Sequence, residues 1–267
     1  MTELAKLARQ LDRSEWFEAY KLGAEGRSDA FSFPTESIQK LTNGKTGADT
    51  AVAAVSIFEV LLKCLETVGM DQNKELRILD FGCGWGRITR LMPHIAKCER
   101  IVGVDVDERL IEAAQRHVPE IRFEQIHNLE KLPFDDGSFD VIFANSVFSH
   151  LSENAHRFCI SEFSRVLAPG GVAIGSTLNH NNLTTLYERD VQRAWAKKVL
   201  GEETEVKARF ESDGFLYGAT NKWADYGLTI CADHWLEKTW LELGLRRTHT
   251  FTGKHSGSQQ YNLARLA

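Results

Sequence analysis

Residues 77–87 read RILDFGCGWGR, and the fold of the chain is decided there. Ile78, Leu79 and Phe81 make an apolar strand, and Asp80 opens an Asp-x-Gly-x-Gly-x-Gly turn through Gly82, Gly84 and Gly86. Glycine is needed where a backbone turns sharply and approaches a ligand closely, because a Cβ would clash or forbid a positive φ. A helix is expected from Arg87 onward, presenting unpaired N–H groups to whatever the glycines admit. The Gly-x-Gly-x-x-Gly dinucleotide code fails, because Arg87 occupies its third glycine slot. Taken alone, the turn is either a cofactor cradle or a tight strand–helix junction with no ligand.

The next segments narrow that choice. Residues 100–107, RIVGVDVD, form a second apolar strand that ends on Asp105. An acid about 20 positions beyond such a turn is placed to accept from ribose hydroxyls. Its competing role is to cap the helix expected near 107–118, which suits Asp107 better. IRFEQIH at 121–127 leads into NLEKLPF at 128–134, and DDGSFDVIFANS at 135–146 supplies a turn and a fourth strand, Val141 to Ala144. Ala155, Phe158, Cys159, Phe163, Val166 and Leu167 recur at helical spacing. Pro169-Gly170-Gly171 is expected to stop that helix before a fifth strand, VAIGSTL.

With these ordered matches across residues 77–178, the sequence resembles the class I S-adenosylmethionine-dependent methyltransferases. The resemblance implies an α/β, Rossmann-like fold with a mainly parallel seven-stranded sheet and helices on both faces. It implies S-adenosyl-L-methionine as cofactor, S-adenosyl-L-homocysteine as product, and in-line displacement at the sulfonium methyl. It places Asp80 near the methionine end of the cofactor, with Gly82, Cys83, Gly84 and Gly86 beneath it and Asp105 at the ribose, and it counts Val106 among the cofactor-binding residues. Cys83 is given a packing role. Arg87 meets the cofactor carboxylate or is a solvated helix-start residue. Asn128 stands where the family usually has an acid for the adenine amino group, with Leu129 to pack on the ring. An Asn carbonyl can still accept from an exocyclic amine. Asn145 and Ser146, at the fourth strand's exit, fall beside the expected methyl group.

The chain of 267 residues can hold one generous α/β domain or a core with additions. A formal charge of −5 argues against a dedicated nucleic-acid surface. No apolar run approaches the roughly 18 residues of a membrane span, and the charged N-terminus lacks a signal-peptide core. Five scattered cysteines without a C-x-x-C pair read as reduced thiols of a cytoplasmic protein, with no metal site. Four regions are expected. Residues 1–74 form a helical extension, with amphipathic pieces near 3–22 and 49–68, and residues 75–178 the cofactor-binding core. Residues 179–232 form a substrate-side insertion, and residues 233–267 a helix and strands that complete the sheet.

The acceptor is less legible. The insertion's aromatic residues, Tyr187, Tyr217 and Trp223 among them, suit a sugar ring or flat organic acceptor, or simply bury the insertion. ANSVFSHL at 144–151 lacks the Asn/Asp-Pro-Pro-aromatic motif of many nitrogen methyltransferases. It resembles the Ser-Val-Phe-Thr-His-Leu of a methyltransferase subgroup associated with sugar, polysaccharide or secondary-metabolite pathways, as do FPTESIQKLTNGK and GSQQYNLARL. The expected activity is methyl transfer to a small-molecule or glycan acceptor, foremost at an oxygen. The alternative is a cofactor- or protein-binding module without catalysis; a nicotinamide oxidoreductase is disfavoured by Arg87. His150 is the candidate general base, its competing role being to cap backbone or pack on the cofactor. His180 and His234 are lesser candidates.

Overall fold

A computed structural model describes residues 3–70, 75–220, 225–252 and 259–267. Four helices come first: α1 (Glu3–Gln10), α2 (Arg13–Ala24), α3 (Glu36–Asn43) and α4 (Gly47–Thr67). A capping box starts α2, in which Asp12 accepts from the Glu15 N–H and Glu15 accepts from the Asp12 N–H, each at 2.9 Å. The apolar run AVAAVSIF lies on α4, which buries Ala51, Ala54, Phe58, Leu61 and Leu65 completely. There follow β1 (Ile78–Phe81), β2 (Ile101–Asp105), α5 (Glu108–His117), β3 (Arg122–Gln125) and β4 (Phe139–Ala144). Then come α6 (Glu153–Val166), β5 (Leu167–Thr177), α7 (His180–Glu188), α8 (Asp190–Val199) and α9 (Glu203–Asp213). The chain ends with β6 (Phe215–Ala219), β7 (Gly227–Cys231), α10 (Asp233–Glu242), β8 (Leu245–Thr252) and β9 (Gln260–Leu266).

Seven strands form a sheet in the order β3-β2-β1-β4-β5-β9-β8, while β6 and β7 form a separate hairpin. Pairing is parallel around β1, with Ile78 opposite Ile101 on one side and Val141 on the other. It is antiparallel from β5 to β9 and from β9 to β8. All four residues of β1 are buried, as a central parallel strand covered on both faces should be. This is the mainly parallel α/β sheet that the alternation of strand and helix implied.

Two local expectations are corrected. The segment after the glycine turn is a short 3-10 helix, Thr89–His94, rather than an α-helix. Pro93 has no N–H to donate, and i→i+3 bonds such as Leu91 N–H to Ile88 O (2.9 Å) replace the α ladder. The second concerns Pro169-Gly170-Gly171, which lie inside β5 because α6 already ends at Val166. A proline drives the residue before it to extended backbone, so the helix gives way upstream of Ala168.

The chain divides into two compact units. One is Met1–His127 with Phe139–Phe143; the other is Asn128–Ser138 with Ala144–Ala267. Within the second, the insertion has its own core, in which Leu183, Tyr187, Ala196, Val206, Leu216 and Ile230 are fully buried.

Candidate functional site

In the first unit, the glycine turn is built as the sequence spacing demands. Gly82, Gly84 and Gly86 all take left-handed φ, at 74°, 57° and 77°. The N–H groups of Gly82 and Cys83 both donate to Val104 O, at 2.8 and 3.0 Å, which folds the turn over the end of β2. At Gly84 there is no room for a side chain: a Cβ there would lie 2.6 Å from Cγ2 of Thr42 on α3. Its N–H donates to Asp105 Oδ2 at 2.8 Å, and the other Asp105 oxygen accepts from the Asp107 N–H at 3.0 Å. A carboxylate has about four acceptor sites, so acceptor capacity remains for a further donor. Asp107 caps α5 by accepting from the Arg109 N–H, leaving Asp105 to the turn. Val106, next in sequence, is 54% exposed although apolar.

Asp80 is buried beneath the turn and accepts from Thr89 Oγ1 at 2.5 Å. Burial pushes its carboxyl up to about 7, opposed by the Thr89 bond and the Arg87 charge and reinforced by the Asp105 charge. Arg87 itself is only 7% exposed, so it is no solvated helix-start residue. Cys83 is buried, with Sγ 3.4 Å from Gly84 O, and burial raises its thiol well above the ordinary range. It is neutral packing rather than a thiolate nucleophile.

Residues without an assigned role in the sequence reading brace this turn. Tyr20 donates to Arg87 O at 2.8 Å and Trp16 Nε1 to Leu91 O at 3.1 Å, tying α2 to the backbone that leaves the turn. Trp85 Nε1 donates to Thr42 Oγ1 at 3.2 Å. The buried Arg90 guanidinium donates to the carbonyls of Gly86, Ser32 and Trp85. It lies 4.8 Å from the Trp85 ring centroid and 5.1 Å from that of Phe33. Burial lowers its pKa to about 10, so it remains a cation at neutral pH. A buried cation of this kind is held by carbonyl dipoles and aromatic faces instead of a carboxylate.

The second unit gathers the remaining candidates in two clusters. At the exit of β4, Ser146 takes φ 58°, unusual for a residue with a Cβ. Its N–H donates to Ser176 Oγ (2.6 Å), Ser176 donates to Gln259 Oε1 (2.5 Å), and Gln259 Nε2 donates back to Ser146 Oγ (2.9 Å). Tyr261 donates to Asn145 Oδ1 at 2.7 Å beside this ring of bonds. The other cluster surrounds His150. Its Nδ1 is 2.9 Å from Gly227 O, and its ring stacks on Tyr226 with centroids 4.8 Å apart and 15° between planes. Gly227 N–H donates to His150 O at 2.7 Å, and Thr229 N–H to Ser149 O at 2.9 Å, so β7 is laced to the ANSVFSHL segment. Asp225 accepts from Ser152 Oγ at 2.5 Å and from Asn128 Nδ2 at 3.2 Å. Leu129, with φ 59°, is 37% exposed.

A carbonyl oxygen can only accept, so His150 Nδ1 carries the proton and Nε2 of the neutral ring keeps its lone pair. Burial holds the imidazolium below the ordinary histidine range, against the opposing effect of the Gly227 bond. Of the aromatic candidates, Tyr187 is corrected: it is 1% exposed and donates to Gly201 O at 2.7 Å, inside the insertion's core. It belongs to the same buried cluster as Leu183, Ala196, Val206 and Leu216, which claims it for packing. Tyr217 is half-buried, its phenol raised by burial and by the Asp225 charge. Trp223 lies outside the described residues. Asp225, Ser176, Gln259 and Tyr261 were missed as individual residues, although GSQQYN drew attention to the last two.

Residues 78–171 match a family model described as a methyltransferase domain. The chain is 32% identical over 136 residues to the malonyl-acyl-carrier-protein O-methyltransferase of Bacillus cytotoxicus, covering 50% of this chain and 46% of that protein. It is 30% identical over 125 residues to the trans-aconitate 2-methyltransferase of an Azoarcus species, covering 46% of this chain and 48% of that one. The chain spans about half the length of these curated relatives, or less. The crystal structure of a magnesium protoporphyrin IX methyltransferase from Synechocystis, solved with bound SAH, has a similar fold: the TM-score is 0.57 at 14% identity, covering 82% of this chain and 86% of that one.

Proposed function

We propose that the chain, whose residues 78–171 match a methyltransferase-domain model, is a class I S-adenosylmethionine-dependent methyltransferase and that it methylates a hydroxyl oxygen of a small-molecule or glycan acceptor. The residues of the glycine turn fit the cofactor. Gly84 and Gly86 hold the left-handed φ that bends the turn and pack against Thr42 and Phe123 where a Cβ would not fit, Asp105 has acceptor capacity for ribose hydroxyls, and Val106 offers an exposed apolar surface beside it. Asp80 and Arg87 suit the charged methionine end, Asn128 and Leu129 the nucleobase, and Asn145 and Ser146 the vicinity of the transferred group. When bound, S-adenosylmethionine supplies an electrophilic methyl group. The protein's contribution is orientation, exclusion of water and removal of one proton from the acceptor.

The observation that carries the oxygen reading is the His150 Nδ1 bond to Gly227 O. It fixes one tautomer and leaves Nε2 able to take a hydroxyl proton, while burial keeps the ring neutral at pH 7. Tyr226, 46% exposed and stacked on His150, offers a face for a sugar or aromatic ring. Asp225, adjacent to Tyr226, puts negative charge next to this surface. An anionic acceptor such as a carboxylate is disfavoured there, and a neutral hydroxyl is not.

Labelled cofactor incubated with a panel of glycans, phenols and hydroxylated metabolites identifies the acceptor. With that acceptor, His150→Ala lowers turnover by about 10²–10⁴-fold while affinity for S-adenosylhomocysteine stays near wild type. Asp105→Ala gives the opposite pattern, weaker cofactor binding by calorimetry. Unchanged turnover in His150→Ala removes the base, and methylation of carboxylates alone removes the hydroxyl reading.

A further inference from the structure

The amide of Asn128 poses a problem of direction. An Asn side chain presents a donor on one branch and an acceptor on the other, and a half-turn about its last bond exchanges them. Left to itself, such a group would accept from a 6-amino purine or donate to a 6-oxo purine equally well. In this chain one branch is already committed: Asn128 Nδ2 lies 3.2 Å from Asp225 Oδ2, and a carboxylate can only accept. Asp225 is itself held in place. Its other oxygen accepts from Ser152 Oγ at 2.5 Å, and its carbonyl accepts from the Ser152 N–H at 3.2 Å. Ser152 is the N-cap of α6, and its Oγ also accepts from the Ala155 N–H. The clamp on the Asn128 amide is thus anchored to a helix terminus, not to a freely rotating surface group.

We infer that Asp225 is a positioning residue for nucleobase selection: by taking Nδ2 of Asn128 it leaves Oδ1, an acceptor only, as the branch that can meet a nucleobase, and so selects a 6-amino purine over a 6-oxo purine. The inference rests on the proposed contact between Asn128 and the nucleobase. It assigns to the insertion a part in reading the methyl donor as well as in shaping the acceptor side. The acid expected at position 128 is displaced to position 225 and acts through the Asn between them.

The test is the ratio of affinities of the full chain for S-adenosylhomocysteine and S-inosylhomocysteine, its 6-oxo counterpart, measured by calorimetry. Wild type is expected to prefer the amino form by at least about tenfold, because a site built around one acceptor leaves the mismatched base with an unpaired polar edge. In Asp225→Ala the amide is free to turn, and the ratio falls to within about threefold. A merely structural role would weaken both ligands together and leave the ratio alone. The exchanged pair Asn128→Asp with Asp225→Asn restores the preference, since a carboxylate at 128 can only accept. It also keeps the test open should Asp225→Ala fold poorly. A wild-type protein that binds both ligands equally, or an Asp225→Ala protein that keeps the wild-type ratio, overturns the role of Asp225. A wild-type protein that binds neither ligand overturns the cofactor reading itself.

Discussion

The glycine turn and the cluster around His150 are assembled by opposite means. The turn arises from eleven consecutive residues whose glycines adopt the dihedrals their spacing requires. The His150 cluster draws on partners far apart in sequence: His150 and Gly227 are 77 positions apart, and Asn128 and Asp225 97. A site that presents backbone to a ligand can be encoded in a local dihedral pattern. One that presents converging side chains must be encoded in the fold.

The contrast is incomplete, because the turn too leans on a remote segment through Arg90. Replacing Arg90 by Met removes the cation and takes its donors from the Ser32 and Trp85 carbonyls, while Gly86 O keeps the backbone N–H of residue 90. Two buried acceptors left unpaired at about 1–3 kcal/mol each cost roughly 2–6 kcal/mol together. Chemical denaturation of Arg90→Met reads this directly, and it is the largest effect expected here. A loss below about 1 kcal/mol, within the range of an ordinary net hydrogen bond, would show that the turn holds itself and would sharpen the division between local and remote construction.

Gly84→Ala comes next and separates two causes within the turn. A left-handed φ costs a residue with a Cβ about 1–2 kcal/mol, and the new methyl would meet Thr42 Cγ2 at 2.6 Å. Affinity for S-adenosylhomocysteine should fall by about tenfold or more, since a 1.4 kcal/mol distortion of the cradle is a factor of ten. Adding Thr42→Ser removes Cγ2 while keeping the hydroxyl that accepts from Trp85. The double variant should recover only the steric part. Full recovery would mean that the dihedral is no constraint.

This bears on how much was legible. Asp80, Asp105 and the three glycines could be found because their chemistry needs fixed spacing, and Asp107 could be separated from Asp105 by its capping position. Thr42 and Gln259 lie in FPTESIQKLTNGK and GSQQYNLARL, both noticed as resemblances, but no local pattern says that one abuts Gly84 and the other closes a ring with Ser146 and Ser176. Tyr187 stays ambiguous in the sequence because an aromatic in a polar insertion reads the same whether it faces a ligand or a small private core. The 3-10 segment is not legible in the glycine turn itself, after which a helix is expected; only Pro93, which has no N–H to donate, marks the change.

The buried carboxyl of Asp80 gives a pH test confined to the first region. Burial raises it to about 7 in the free protein. A cationic ligand nearby favours the ionised form, so binding releases a proton when the pH lies below that value. Cofactor affinity should therefore level off above pH 7 and decline below it, approaching tenfold per unit well under the pKa. Asp80→Asn should bind more weakly at neutral pH and lose that slope. The same decline in Asp80→Asn would place the titrating group elsewhere.

The smallest effect tests whether the second region has a dihedral constraint of its own. Ser146 holds φ 58° without being glycine, and its Oγ accepts from Gln259 Nε2 at 2.9 Å. Ser146→Gly forfeits that bond, worth about 1 kcal/mol, but relieves a strain of about 1–2 kcal/mol, so stability should stay within about 1 kcal/mol of wild type. Ser146→Ala forfeits the bond and keeps the strain. The gap between the two variants, about 1–2 kcal/mol in favour of glycine, measures the strain with the hydrogen bond removed from both. Equal stabilities would mean that residue 146 is under no backbone strain, and that left-handed geometry shapes only the turn. A clear gap would mean that the strand exit carries the same constraint but retains serine for its hydroxyl, because there the side chain is the part that must converge with others.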